Sequence, residues 1–309
     1  MAKFVIYTYK LHLTSDSRMI SLFPEEETLS PSEALAHKQD IFQQILDYDV
    51  KGEKKFECKR KSGKKDSSEW KDFDSQVVWS QNNITFMQIA NKKDRLDHKD
   101  FKKYKGEDYP WCNIVIDNRY DVQHIAIQNN SAFSNTDVVA AILQDSFNYR
   151  LYGYYLETDI DAMYQSRAFW SVIDRYKDVG IKMIQFDFAF PNLPWASKAI
   201  EQLNDGAKAL GGRPTAKFTA SDGGRLFIDS VNRDENVQTM TNACTGTGAD
   251  ILVQPNGNDT PIHCRDDKEQ RVQKQVPDDV LDRADDKDLF NSNFDYFRNF
   301  ADSIQKFYD

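Results

Sequence analysis

Apolar and polar positions alternate from Phe4 to Leu13: Phe4, Ile6, Leu11 and Leu13 stand between polar residues, and Tyr7 and Tyr9 put aromatics on the other face. That period of two predicts a β-strand with both faces covered. The pattern then turns helical. Ser30-Pro31-Ser32-Glu33 offers a capping side chain, a proline suited to the first helical position and a glutamate that reaches back, ahead of Leu35, Ile41, Phe42, Ile45 and Leu46 at helical spacing. Two further β-rich pairs follow. Val77–Trp79 and Ile84–Ile89 flank Gln81-Asn82-Asn83, and Trp111–Ile116 and Val122–Ile127 flank Asp117-Asn118-Arg119-Tyr120, so each pair predicts a hairpin in an antiparallel sheet.

The second half alternates helices and strands. Helices are predicted at Asp137–Phe147 behind Ser134-Asn135-Thr136, at Ala168–Tyr176, and at Ala196–Leu210 before Gly211-Gly212. Strands are predicted at Tyr152–Ile160, Ile181–Phe190, Ala216–Thr219, Leu226–Ile228 and Ile251–Val253. Asn256 to Ala284 is polar, carries Pro255, Pro261 and Pro277 at or near its ends, and reads as a surface excursion. From Leu289 to Tyr308 an aromatic stripe of Phe290, Phe294, Phe297, Phe300 and Phe307 predicts an amphipathic helix, a candidate seam for a homo-oligomer. The fold class expected is α+β: a mostly antiparallel unit over residues 1–130, then an alternating strand/helix unit of α/β type over 131–309.

Composition adds bounds. The chain has 309 residues with 20 Phe, 14 Tyr and 5 Trp, enough aromatic area to build a core in each of two domains. No window approaches 18 uninterrupted apolar residues, so no membrane association is expected, and the alternating start reads as a strand and not as a signal peptide. Cys58, Cys112, Cys244 and Cys264 are widely spaced, which suits reduced thiols in a cytoplasm.

The formal net charge of −9 argues against a surface that grips nucleic acid all over, but the charge is segregated. Lys51 to Lys65 is crowded with Lys and Arg against only Glu53 and Glu57, whereas Pro277 to Asp309 is acidic. The basic stretch predicts a hairpin whose Lys54, Lys55, Lys59, Arg60, Lys61, Lys64 and Lys65 meet nucleic acid or an acidic protein partner through charge, not base reading. The same stretch holds Glu57-Cys58-Lys59, an acid-x-Lys with Asp49 upstream. In a metal-dependent nuclease two carboxylates hold the cation and the lysine supports the attacking water, so Asp49, Glu57 and Lys59 form an alternative, catalytic reading.

Other chemistry is thinner. His263-Cys264 and Cys244 lack the short paired spacing of a zinc site, and Gly211-Gly212, Gly223-Gly224 and Thr245-Gly246-Thr247-Gly248 match neither a P-loop nor a dinucleotide fingerprint. The sequence therefore assigns no cofactor and no metal. Phe186, Phe188 and Phe190 fill one face of their predicted strand, and Asp187 points to the other, where an acid at a strand end can meet a ligand.

Tyr152 to Val253, with Ala168-Phe169-Trp170, Phe188-Ala189-Phe190-Pro191-Asn192 and Asp222-Gly223-Gly224-Arg225-Leu226, resembles uncharacterised bacterial proteins encoded in phage-defence loci. The resemblance implies an antiviral role and carries no catalytic residue across. The leading expectation is a non-enzymatic binding or regulatory subunit; a metal-dependent nuclease and a structural or oligomerisation module are the alternatives.

Overall fold

The computed structural model describes residues 1–14, 29–50, 56–61, 69–99, 102–120, 122–188 and 214–276, without the side chains of 48–50 and 96–104. Within them the protein is α+β with mostly antiparallel sheets, as the periodicities predict. The described chain forms two compact units, one of Met1–Ile160 joined by Gln273–Val276, the other of Asp161–Val272. The boundary read near Ser131 thus falls inside the first unit, because the helix that follows it packs there.

The first unit is built on β1 (Ala2–Leu13), buried along nearly its whole length. It pairs antiparallel with β9 (His124–Gln128), and β9, β8 (Trp111–Asp117), β5 (Ile84–Ala90) and β4 (Ser75–Gln81) continue the sheet antiparallel. Both predicted hairpins are present. Asn82 and Asn83, both at positive φ (51° and 63°), turn β4 into β5 in the left-handed conformation that asparagine tolerates best after glycine. β10 (Leu156–Ala162) adjoins β1, and so does β15 (Gln273–Val276), whose Val276 lies opposite Ala2. Part of the expected surface excursion is therefore a sheet strand.

Ser30 makes the predicted capping box with Glu33, but the helix breaks at His37 into α1 (Pro31–Ala36) and α2 (Lys38–Val50). α3 (Thr136–Leu151) starts on Asn135, whose side chain accepts from the Val138 N–H at 3.1 Å. Its buried face meets the same core. Tyr9 stacks on Phe42 with centroids 4.7 Å apart, Phe42 meets Phe147 edge-on at 4.9 Å, and the Tyr7 hydroxyl donates to Thr136 at 2.8 Å. Two short ladders complete the unit: β2 (Cys58–Lys61) with β3 (Trp70–Phe73), and β6 (Lys93–Lys99) with β7 (Lys102–Asp108).

The second unit is a four-stranded sheet in the order β12 (Thr215–Thr219), β11 (Ile181–Asp187), β13 (Ile251–Pro255), β14 (Ile262–His263). Every pair in it is antiparallel, and the expected alternation of strands and helices runs through it. α4 (Arg167–Arg175) and α5 (Glu235–Gly246) cover one face, where Phe169, Trp170, Ile184, Phe186, Phe188, Cys244, Ile251 and Val253 are buried together. Phe186 and Phe188 pack as predicted. The predicted helices at 196–210 and 289–308 lie outside the described residues. No helix among the described residues is long and apolar enough to cross a membrane.

Candidate functional site

The basic stretch forms the predicted ladder, and its two faces differ. Cys58 pairs with Phe73, Lys59 with Asp72, Arg60 with Lys71 and Lys61 with Trp70. Since successive strand residues point to opposite faces, Lys59 and Lys61 share one side and Arg60 shares the other with Lys71.

α3 fixes the ladder in place. The Lys59 N–H donates to the buried Ser146 hydroxyl at 2.8 Å, and the Lys61 N–H donates to Asp145 Oδ2 at 3.0 Å, so α3 side chains satisfy the free edge of β2. From the other direction the Ser75 hydroxyl donates to the Phe56 carbonyl at 2.8 Å and accepts from the Cys58 N–H at 3.2 Å.

On the first face Lys59 is neutralised. Its ammonium lies 3.2 Å from Glu57 and 3.9 Å from Asp72, and 4.9 Å from the centroid of the Tyr149 ring, with a side chain only 20% exposed. Glu57 in turn stands 3.9 Å from Arg150. The acid and lysine of the nuclease reading are thus an ion pair inside a mixed-charge network. Asp49 lies in α2, with its side chain outside the description. No group of three His, Cys, Asp or Glu among the described residues is arranged to hold a metal ion.

The second face carries uncompensated positive charge. Arg60, Lys71 and Lys93 line a concavity of about 510 Å³ with Phe73, Asn91, Ser131, Phe133, Ser134 and Val138. No carboxylate among the described residues pairs with any of the three cations. Lys71 and Lys93 are positioned by other groups. Lys71 lies 4.7 Å over the Phe73 ring, Phe73 leans on Phe133 at 6.1 Å, and the Lys93 ammonium donates to the Ser131 carbonyl. Asn91 donates to the Ala132 carbonyl at 2.8 Å, which holds the 131–134 loop at the rim. Like charges directly opposite in a ladder repel, by on the order of 1 kcal/mol at surface dielectric. An anion seated between them converts that repulsion into two attractions.

Of the predicted basic residues, Arg60 lines this concavity, Lys59 and Lys61 lie on the other face, and Lys54, Lys55, Lys64 and Lys65 lie outside the described residues. Lys71 and Lys93 were not predicted. Lys71 is identified only by its pairing with Arg60, and Lys93 belongs to a further, sparser basic run from Lys92 to Lys105 that reaches the site through tertiary packing.

The turn between β8 and β9 and the cysteines serve the fold. Asp117 is buried and binds Arg119 in a fork, at 2.9 Å to Nε and 2.6 Å to the terminal nitrogen. Asn118 accepts from the Tyr9 hydroxyl at 2.6 Å and donates to Gln43 at 3.1 Å. All four cysteines are buried, and no disulfide joins any two of them. Burial pushes the Cys112 thiol up to about 12 and the Cys264 thiol higher still, which leaves neither a thiolate nucleophile near neutrality.

No protein-family model matches this chain, and a search of the curated proteins finds none that matches it.

Proposed function

We propose that the chain is a binding protein for polyanions, nucleic acid foremost, which takes a phosphate backbone on the concavity lined by Arg60, Lys71 and Lys93. The supporting observation is the directly opposed pair Arg60 and Lys71, left without a described carboxylate in a chain whose net charge is −9. A protein with excess acid has carboxylates to spare for neutralising a surface cation, as it does at Lys59. Leaving three cations without a described carboxylate around one concavity favours an anion from outside. Asn91, Ser131 and Ser134 add polar groups at the rim, and Phe73 and Phe133 add apolar wall. Contacts of this kind position a backbone and read little sequence. The setting that goes with this reading is the antiviral defence role implied by the resemblance.

The test is fluorescence anisotropy with labelled single- and double-stranded DNA and RNA over a salt series. Three phosphate contacts predict that log affinity falls against log salt with a slope of roughly −2 to −3. Absence of binding to every nucleic acid at low salt contradicts the reading. Binding to a poly-glutamate peptide with no binding to nucleic acid would move it to an acidic protein partner.

A further inference from the structure

The second unit holds a different constellation on the face of its sheet away from the helices. Phe186 and Ile251 point into the core from neighbouring strands, so the residues beside them, Asp187 and Asp250, face the other way, and the Asp187 N–H donates to the Asp250 carbonyl at 3.0 Å. One register step along, Lys217, Gln185, Leu252 and His263 form a single row across all four strands. His263 stands on the edge strand with its side chain 42% exposed, and its Nδ1 lies 2.5 Å from Oδ2 of Asp250, whose side chain is 8% exposed. The Arg265 Nε reaches the same oxygen at 3.3 Å, and its guanidinium is about half exposed. Oδ1 of Asp250 is buried without a hydrogen-bond partner, an unusual state for a carboxylate oxygen.

The geometry points to a proton-transfer site for RNA, in which His263 is the base, Asp250 its positioning residue and Arg265 the anchor for a phosphate. A carboxylate on Nδ1 fixes the ring and places the remaining lone pair on Nε2, away from Asp250. Arg265, on the same carboxylate and with its Nη1 4.0 Å from Asp161, brings a half-exposed cation to the site, which suits an anionic substrate. A single oriented base next to a cation suits a substrate that carries its own nucleophile beside the phosphate, and RNA does. As the 2′-oxygen bonds to phosphorus, Nε2 takes the 2′-hydroxyl proton. The bond from phosphorus to the 5′-oxygen breaks, a water protonates the leaving oxygen, and the hydroxide so formed takes the proton back from His263. The products are a 2′,3′-cyclic phosphate and a 5′-hydroxyl. Lys217 lies three strands from His263, about 14 Å at ~4.8 Å per strand, where it meets a phosphate farther along a strand laid across the sheet.

This inference does not rest on the Arg60–Lys71–Lys93 concavity, and a protein with that site reversed still cleaves at saturating RNA. The experiment incubates the full chain with end-labelled single-stranded RNA and the matching all-deoxy strand, in the presence of a chelator. The expected result is RNA cleavage with cyclic-phosphate ends, an intact deoxy strand, and a rate roughly 10²–10⁴-fold lower in His263→Gly. Added imidazole restores part of that rate, which a structural histidine would not allow. Asp250→Asn lowers kcat with RNA affinity kept, and Arg265→Ala raises KM. His263 lies at an exposed edge, so its variant keeps the wild-type circular dichroism. No cleavage by the wild-type chain, equal cleavage by His263→Gly, or equal cleavage of the deoxy strand overturns the inference.

Discussion

Arg60 and Lys71 face each other across the β2–β3 ladder as a like-charged pair, while the adjacent pair, Lys59 and Asp72, is of opposite sign. Replacing Lys71 by Glu gives Arg60 an opposed partner. Thermal unfolding of Lys71→Glu is therefore expected to show a gain of a few tenths to about 1 kcal/mol, together with weaker nucleic-acid binding. A variant that loses stability and keeps its affinity contradicts the assignment. Opposed changes of this sort are common where a surface serves a ligand at a cost to the fold.

Lys59 serves as the internal comparison. Its ammonium is held by Glu57, Asp72 and the Tyr149 ring, so Lys59→Ala is expected to cost about 1 kcal/mol in a urea titration and to leave binding within about twofold. A large loss of affinity with unchanged stability would place the phosphate contact on the wrong face here.

Ser146 is fully buried and bonds the backbone of β2 at Lys59. Ser146→Ala leaves that N–H without its acceptor, at about 1–3 kcal/mol. Because β2 carries Arg60, amide hydrogen exchange should quicken in β2 before the central sheet, and affinity should drop with it. Unchanged exchange at Lys59 would show that α3 does not hold the ladder.

Two histidines of the first unit give opposite pH effects. Burial is the main cause that pulls the His124 imidazole from 6.5 down to about 4, with Arg119 adding to it. The unfolded chain takes up that proton near 6.5 and the folded chain only near 4, so stability is full above 6.5 and falls with acidification between those values. The loss from pH 7 to 5 is about 2 kcal/mol. His12 is raised, chiefly by the Asp159 carboxylate 3.2 Å from its Nε2, so its smaller contribution is present at low pH and fades as pH rises through its folded value. Urea midpoints at pH 7 and 5 should differ less in His124→Gln than in the wild type. An equal difference in both would remove His124 as the cause.

Gly248 shows how tightly the second unit closes. Its φ is +63°, and a Cβ there would stand 2.8 Å from Cβ of Asp161 and 3.1 Å from the Ala162 carbonyl. Gly248→Ala combines left-handed strain with a clash against backbone and should cost about 2–3 kcal/mol by thermal melt. A melt unchanged within error would mean that this turn adjusts freely.

Local rules made much of the fold legible. Ser30 and Glu33 sit three residues apart, and Asn82-Asn83 joins two β-rich runs, so those features needed no tertiary information. α5 was missed because Thr239, Thr241, Asn242 and Thr245 give it weak helix propensity, although Asp234 caps it and Val237, Met240, Ala243 and Cys244 mark a buried stripe. β15 is mostly polar, and only its pairing with β1 makes it a strand. The site was half legible for the same reason. The run Lys51 to Lys65 announced positive charge, but strand alternation and the docking of α3 decide that Arg60 faces the concavity and Lys59 does not. Lys71 and Lys93 join Arg60 only through pairing and packing, as Asp250 joins His263 across 13 positions.

The most direct test of the polyanion site is the salt slope of nucleic-acid binding in the protein carrying Arg60→Ser and Lys71→Ser, set beside Lys59→Ser and the wild type. The account predicts that the double substitution makes the slope shallower by about two and that Lys59→Ser leaves it unchanged. A double variant with the wild-type slope would contradict it.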